Sequence, residues 1–188
     1  MILEGLVTTT NADGTPHLAP MGPRVTADMQ SFVLRPFPTS QTYQNLARHG
    51  EGVLHVTDDV LLLAKAAVGK ATMPCVNPAT AIRGWVLENC CRYYEFRVVS
   101  MDDSTVRISI AAEVLRTGRF RDFFGFNRAK HAVLEAAILA TRLHMLPRRD
   151  VEVEFAKFRT IVGKTGGPAE HEAMDFLDDF LAKFPEGP

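Results

Sequence analysis

The amino-acid sequence predicts a mainly β protein of the α+β class: a closed or nearly closed barrel of six antiparallel strands, with peripheral helices packed outside it. Three observations favour this fold. Short β-type segments follow one another through turns that suit antiparallel pairing, and a few helical segments interrupt them. The regular alternation of strand and helix that builds a parallel sheet is missing, and no G-x-G-x-x-G follows the first strand.

The chain opens with a predicted hairpin. Residues 2–10 are predicted as a strand, residues 11–14 as a turn, and residues 16–25 as the extended partner. Asp-Gly between two β-type segments is a strong local signal for such a turn. A second pairing is predicted after residues 26–28, where residues 32–34 form the next strand.

Residues 35–45 have the pattern of an anion-binding segment. Two prolines follow Arg35 and end the strand, and hydroxyl side chains precede a predicted helix over 43–49 that Gly50 closes. The guanidinium of Arg35, the hydroxyls of Ser40 and Thr42 and the free N–H groups of the helix start could together bind a phosphate. The alternative is an ordinary capped helix with a solvated arginine.

The middle of the chain is predicted to supply more barrel strands. Residues 53–57 alternate as a half-buried strand does, and residues 60–68 are predicted as a short apolar helix. Residues 70–84 are predicted as a loop that serves as a functional lid or as a packing arm. Residues 91–100 and 105–116 are predicted as an antiparallel hairpin, with one apolar face formed by Val106, Ile108, Ile110, Ala112 and Val114.

The C-terminal part is predicted to be mostly helical. Residues 127–146 form the clearest helix, with Asn127 as its N-cap. Residues 150–155 alternate apolar and acidic side chains and are predicted as a closing strand, and a last amphipathic helix begins near Pro168. We therefore predict one domain over 1–160, helix 127–146 included, and a C-terminal amphipathic helix within 161–188 that packs on the barrel or on a dimer partner.

Composition limits the function. With 188 residues, 46% hydrophobic side chains and a net charge of -1, the chain suits a folded protein without overall attraction for nucleic acid. It has no secretory signal or membrane-length apolar segment, so we expect a cytoplasmic, soluble protein. Its three cysteines lack a C-x-x-C pair, so no metal site is expected, and the adjacent Cys90 and Cys91 are interpreted as packing residues rather than catalytic thiols.

The order and spacing of these motifs resemble those of a known superfamily. The segment over residues 4–22, followed by Arg35-Pro and by Ser40, Thr42, Tyr43 and Asn45, is similar to the flavin-reductase-like FMN-binding split barrels. More narrowly, it resembles the family described as domain of unknown function 447, which shares the Asn-Arg-Ala-Lys helix start at 127–130. The resemblance spans residues 2–159.

The resemblance implies a homodimer of six-stranded split barrels that holds FMN in a groove near the subunit interface. Residues 19–22 would lie along the edge of the flavin ring, and Arg35, Ser40 and Thr42 would take the phosphate. Asn45 and its neighbour Tyr43 would line the ribityl chain or simply secure the helix. His55 and Thr57 are weaker candidates, for the pocket wall. The implied cofactor-binding residues are Pro20, Met21, Gly22, Arg35, Ser40, Thr42, Tyr43, Asn45, His55, Thr57 and Arg128.

Two groups of residues have a structural as well as a functional interpretation. Pro20 and Pro23 interrupt pairing on one side of a strand, which frees backbone groups for a ligand or merely prevents aggregation. Arg128 or Lys130 would reach a cofactor phosphate or a substrate anion from the partner subunit, or would belong to a solvated helix face. Arg24 and Arg159 are further candidates for the same role, and His17 is expected to have a surface or packing role.

The resulting functional hypothesis is an FMN-dependent oxidoreductase in which the cofactor carries hydride or electrons and the protein orients it. The alternative is a non-catalytic flavin-binding or ligand-sensing module. A third possibility is a barrel that kept the fold and lost the ligand. The sequence identifies neither the substrate nor the electron donor.

Overall fold

The computed structural model describes residues 1–104 and 108–185 and divides into two compact units. The first unit comprises Met1–Thr57 and Thr72–Phe123, and the second comprises Asp58–Ala71 and the chain from Phe124 onward. The first unit contains the strands β1 Gly5–Thr10, β2 Pro16–Met21, β3 Arg24–Val25, β4 Ser31–Leu34, β5 Glu51–Val56, β6 Val76–Pro78, β7 Trp85–Leu87, β8 Arg92–Asp102 and β9 Ser109–Arg119, and the helix α1 Gln41–His49. The second contains the helices α2 Val60–Ala67, α3 Arg128–Ala140, α4 Arg148–Thr165 and α5 Pro168–Lys183.

The first unit is a curled antiparallel sheet with the strand order β2-β1-β5-β8-β9-β4-β3. The chain just before β1 also reaches β3, since the Leu3 N–H donates to the Pro23 carbonyl at 3.1 Å and the Val25 N–H donates to the Met1 carbonyl at 3.0 Å. These bonds close six of the strands into a ring and leave β2 as an extension beside β1. The predicted α+β fold with an antiparallel barrel is confirmed.

The predicted first turn is also confirmed, and its side chains explain its shape. The Asn11 N–H donates to the Thr15 carbonyl at 2.8 Å, and Gly14 has φ of 85°, a left-handed conformation that favours glycine. One Asp13 carboxylate oxygen accepts from the Thr15 N–H at 3.0 Å and from its hydroxyl at 2.6 Å. The turn therefore sets the register of β1 against β2, from Thr10 opposite Pro16 to Gly5 opposite Met21.

The barrel interior is filled by alternate residues of the ring strands. Phe32 and Phe96 meet edge to face with ring centroids 5.1 Å apart, and both are buried. Of the apolar face predicted for the long hairpin, Ile108, Ile110 and Ala112 are buried in the same cluster. Val106 lies outside the described residues, and β9 begins at Ser109.

The second unit is a cluster of four helices, and here two sequence predictions are wrong. Residues 150–155 are not a closing strand but belong to α4. Val151 and Phe155 are buried whereas Val153 is 50% exposed, so the buried positions are spaced four apart, as a helix face requires. The spacing of four between Val151 and Phe155 suits both a strand face and a helix face, and the helical spacing extends to the buried Val162.

The predicted helix over 127–146 is shorter in the structure. It begins as predicted, because the Asn127 side chain accepts the Lys130 N–H at 3.1 Å, but it ends at Ala140 and is followed by turns. Pro147 then precedes α4, which runs across position 160, where the sequence placed a domain boundary. Residues 70–84 also contain a short strand, β6, rather than only a loop.

One close contact in the barrel yields a stability prediction. Gly52 lies opposite the fully buried Phe96, and a Cβ atom at Gly52 would come within 2.7 Å of that ring and 3.0 Å of the Thr8 carbonyl. Gly52→Ala should therefore destabilise the protein by about 1–3 kcal/mol through overpacking, measured by urea unfolding. As a control, Gly163→Ala in α4, where a Cβ meets nothing within 4 Å, should be neutral or stabilising by up to about 1 kcal/mol. Equal stability of the Gly52 variant and the parent would contradict this packing.

Candidate functional site

The start of α1 is shaped by Ser40 and leaves two backbone donors open. The Ser40 hydroxyl oxygen accepts the Tyr43 N–H at 3.2 Å, and the hydroxyl donates to the Phe37 carbonyl at 2.7 Å. Ser40 is therefore the helix cap, which was the alternative role considered for it. The N–H groups of Gln41 and Thr42 have no acceptor inside the helix, as expected for a first turn, and the Thr42 side chain is buried.

Arg35 lies just beyond β4 and is exposed. Within residues 1–104 and 108–185 its side chain makes no hydrogen bond or ion pair. The first turn of α1 carries no acidic side chain of its own. An exposed cation and a helix N-terminus thus follow each other within six residues.

Asn45 ties this helix start to the end of β1. Its side chain is fully buried, and its Nδ2 group donates to the Thr9 hydroxyl at 3.0 Å and to Asn11 Oδ1 at 2.9 Å. Its Oδ1 accepts from Gln41 Nε2 at 2.8 Å and from Arg48 at 3.3 Å. The amide has used its donors and acceptors within the protein, so of the two predicted roles the structure favours securing the helix.

Asn11 and Gln41 also line an open cleft of about 620 Å³, together with Ala12, Asp13 and His17. His17 is half-buried, and burial lowers the pKa of its imidazole. Asn11 and Gln41 were missed by the sequence-based reasoning, because a turn asparagine and a first-turn glutamine look like ordinary structural residues. The spacing of four residues between Gln41 and Asn45 on one helix could have indicated their contact, whereas Asn11, 34 positions from Asn45, carries no such signal.

His55 is placed differently from the expectation that it lines a cofactor pocket. The ring is fully buried, its Nε2 accepts the Leu87 N–H at 3.1 Å, and its Nδ1 lies 3.2 Å from the Leu6 carbonyl oxygen. Because Nε2 is an acceptor, the proton resides on Nδ1. Burial lowers the pKa of His55 to about 4, although the bond to Leu6 opposes this shift, so the ring is neutral at physiological pH. Thr57, at the end of the same strand, is also buried.

The predicted flavin-ring strand, Pro20 to Gly22, lies at the end of β2. Pro20 pairs with Leu6 and Met21 with Gly5, and β2 is the last strand of the sheet, so among the described strands its other edge has no partner. The prolines were interpreted as interrupting pairing on one side, and the sheet order agrees with that.

The cations predicted to approach from helix α3 differ in availability. Lys130 donates to Glu170 Oε1 at 2.7 Å and to the Asp58 carbonyl at 2.8 Å, both within the second unit. The Lys130 ammonium group is therefore already paired within the protein. Arg128 opens α3 and is exposed, and its role near a cofactor stays a prediction. Arg159 is engaged with Asp178 at 2.7 Å.

The adjacent Cys90 and Cys91 have the packing role that the sequence indicated. Cys90 and Cys91 are buried, and burial, followed by the neighbouring Cys91 thiol, raises the pKa of Cys90 to about 12. A thiol with such a pKa carries almost no thiolate at neutral pH and is a poor nucleophile.

The curled antiparallel sheet of the first unit has the fold seen in solved split-barrel structures of flavin reductases. Two family models match the chain. The model described as "Protein of unknown function (DUF447) N-terminal domain" matches residues 3–120, and the model described as "Protein of unknown function (DUF447)" matches residues 127–179. The chain therefore belongs to the DUF447 family, which confirms the resemblance stated above.

Solved structures show the same fold. An FMN-bound DUF447 protein from Methanosarcina mazei is 20% identical and superposes with a TM-score of 0.81, covering 95% of this chain and 94% of that one. The 2-nitrobenzoate 2-nitroreductase of Pseudomonas fluorescens is 16% identical with a TM-score of 0.54, covering 62% and 64% of the two chains. Flavoredoxin from Methanosarcina acetivorans is 15% identical with a TM-score of 0.54, covering 63% and 69%. Separately, none of the helices in the described parts of the chain has the length and apolar character needed to span a bilayer.

The role of Asn45 can be tested by mutation. Asn45→Ala should lower the free energy of unfolding by about 1–3 kcal/mol, because it removes four hydrogen bonds of a buried amide and leaves the buried Thr9 hydroxyl without that partner. Gln44→Ala, which removes an exposed amide one position earlier, should change stability by less than about 0.5 kcal/mol. Urea unfolding of both variants measures the difference, and two equal values would show that the buried amide does not secure the helix.

Proposed function

We propose that this protein binds FMN beside the start of α1 and acts as a flavin-dependent oxidoreductase. The observation that carries the proposal is the superposition, over 95% of the chain, on a family member that was crystallised with FMN bound. The available groups of the site fit that cofactor, since a flavin nucleotide needs donors or cations for its phosphate and amide-like groups for its ring edge.

The phosphate would be held by Arg35 and by the N–H groups of Gln41 and Thr42. Arg35 is exposed and makes no internal ion pair within the described ranges, and the first turn of α1 carries no acidic side chain of its own. Ser40 contributes as the cap that fixes Tyr43, which leaves the two preceding N–H groups directed out of the helix. Thr42 would act through its backbone, because its side chain is buried.

The ring edge would lie along Pro20, Met21 and Gly22. The outer edge of β2 is unpaired among the described strands, so its backbone N–H and C=O groups can meet the polar rim of a planar ligand. Tyr43, half-buried on α1, would lie between the phosphate end and the ring end. Bound FMN would supply the hydride or electron transfer, and the protein would orient it and exclude water.

We also propose a homodimer in which a second copy covers this site. Phe37, between Arg35 and Ser40, is 59% exposed. Burial of this apolar ring against a partner subunit would stabilise the dimer. Sedimentation velocity should give a mass of two chains. A single-chain mass in the presence of FMN would contradict the dimer without removing the cofactor assignment.

The second candidate function is a non-catalytic flavin-binding module. The burial of His55 and Cys90, with the pKa shifts that it causes, favours this function. Neither side chain is available to move protons or to attack a substrate. An oxidoreductase should have its bound flavin reduced rapidly by NADH, by NADPH or by a deazaflavin donor, followed as loss of absorbance near the flavin band. A flavin that stays oxidised with all three donors would favour the binding module.

Arg35→Ala should weaken FMN binding by about 1.5–3 kcal/mol, because it removes a charge-assisted hydrogen bond to the phosphate. Calorimetric titration of the FMN-free protein measures the affinity. The free energy of unfolding without FMN, followed by thermal melting, should stay within about 1 kcal/mol of the parent's value. Arg83→Ala removes another exposed guanidinium of the first unit and should leave FMN affinity unchanged. Equal affinity of the Arg35 variant and the parent would remove Arg35 from the site.

Gentle purification, acid release of any chromophore and mass analysis should yield FMN. A colourless protein that also fails to take up added FMN would contradict the cofactor assignment and would favour a barrel that has lost its ligand.

A further inference from the structure

A small hairpin is fastened to the outside of the barrel. It consists of β6, β7 and the residues between them, and we call residues 76–87 the strap. The strap covers a face of β1, β5 and β8 that points away from the barrel core, where His55 lies opposite Leu6 on β1 and opposite Tyr93 on β8. The sequence-based alternatives for this region were a lid and a packing arm.

The turn of the strap is held by a buried carboxylate. Glu95 on β8 is fully buried and accepts the Thr80 N–H at 3.1 Å, the Thr80 hydroxyl at 3.1 Å and the Ala81 N–H at 2.6 Å. Arg116 on β9 lies 3.9 Å from the same carboxylate. The three bonds from Thr80 and Ala81 join a barrel carboxylate to two backbone N–H groups and one hydroxyl of the strap, so they form only when the strap lies against the barrel.

The strand β7 is held by two further barrel side chains. The Leu87 N–H donates to His55 Nε2 at 3.1 Å, and the Thr8 hydroxyl donates to the Trp85 carbonyl. His55 Nδ1 faces the Leu6 carbonyl on β1, so one imidazole connects the strap to the neighbouring strand.

The strap is also held by apolar side chains. Ile82 and Val86 are buried against Val53 of β5, with Ala79 and Tyr93 partly buried around them. Leu87, at the end of the strap, is a further buried side chain. The cluster of Ile82, Val86 and Val53 is separate from the ten buried residues of the barrel interior. A segment whose apolar contacts lie outside the main core can open without the core unfolding.

We propose that the strap is a detachable element of the fold, which opens as a unit while the barrel stays intact, and that protonation of His55 releases it. A protonated Nε2 cannot accept the Leu87 N–H and instead directs its own proton at that donor. The anchor is then replaced by a repulsive contact inside a buried site.

No carboxylate among the described residues forms a hydrogen bond with the His55 ring that would stabilise its protonated form. Both ring nitrogens of His55 face backbone groups, the Leu6 carbonyl and the Leu87 N–H, rather than a carboxylate. Glu95 is occupied by the strap turn, and Glu51 accepts the Arg83 N–H at 2.9 Å. The titratable or charged side chains on this face and beside it are Glu51 on β5, Tyr93, Glu95 and Arg97 on β8, Glu113 and Arg116 on β9, Arg83 on the strap, and Cys90 and Cys91 just before β8.

The direction of the pH effect follows from the two states of His55. In the seated state its pKa is lowered to about 4 by burial, whereas in the open state it returns toward the ordinary value of 6.5. The open state therefore binds a proton more readily, and the seated state loses stability as pH falls from 6.5 toward 4. Between pH 7.5 and pH 5 the opening equilibrium should rise about 30-fold.

Hydrogen–deuterium exchange on the full chain tests this proposal, with Trp85 fluorescence as a second reporter because Trp85 is the single tryptophan. After correction for the intrinsic exchange rate at each pH, peptides of the strap should exchange about 30-fold faster at pH 5 than at pH 7.5. Peptides of β5 and β8 that carry the barrel core should keep their protection. Strap protection that is unchanged at pH 5, or that is lost together with the core, would overturn the proposal.

Two variants separate the strap from general acid sensitivity. His55→Gln, whose neutral amide can accept from Leu87 and donate to Leu6 at both pH values, should abolish the acid response. His49→Gln, at the exposed end of α1, should leave it intact. If His55→Gln does not fold, Thr8→Val provides the second test, since loss of the hydroxyl anchor should speed strap exchange at pH 7.5 and spare the core. An unchanged acid response in His55→Gln, or an unchanged strap in Thr8→Val, would contradict the proposal.

Discussion

The buried amide of Asn45 is the interaction on which the proposed site depends. It joins the end of β1 and its turn to the first turn of α1 through contacts to Thr9, Asn11 and Gln41. A helix start can bind an anion only if its N–H groups are held in a fixed position relative to the rest of the site. By fixing α1 against β1, Asn45 also fixes the phosphate end of the site relative to β2, where the ring would lie. Ser40 completes this arrangement by capping the helix.

Much of the barrel could be predicted from sequence, because its signals are local. Asp13-Gly14 specifies a turn through its own backbone conformation, and the run from Arg35 to Gly50 contains both the cap and the closing residue of α1. The prediction failed for residues 150–155, where Val151 and Phe155 fit a strand pattern and a helix pattern equally well. Only packing against neighbouring helices decides between these patterns, and packing is not local in sequence.

The candidate site was predicted less completely for the same reason. Arg35 stands out by residue type and position, and its exposure agrees with a binding role. The buried position of His55 does not agree with such a role. Its burial depends on the strap, more than twenty residues further along the chain, and nothing in the sequence indicates that β7 donates a hydrogen bond to its ring. Lys130 likewise looked available until Glu170, forty residues later, proved to be its partner. Polar side chains can serve as structural anchors or as ligand contacts, and the three-dimensional partner decides which.

The most direct test of the central claim is a crystal structure of the protein grown with FMN. The account predicts difference density for the phosphate within hydrogen-bond distance of the Arg35 guanidinium and of the Gln41 and Thr42 N–H groups, with the flavin ring beside Pro20 to Gly22. Density for FMN at another surface, or an empty α1 start at saturating FMN, would contradict it.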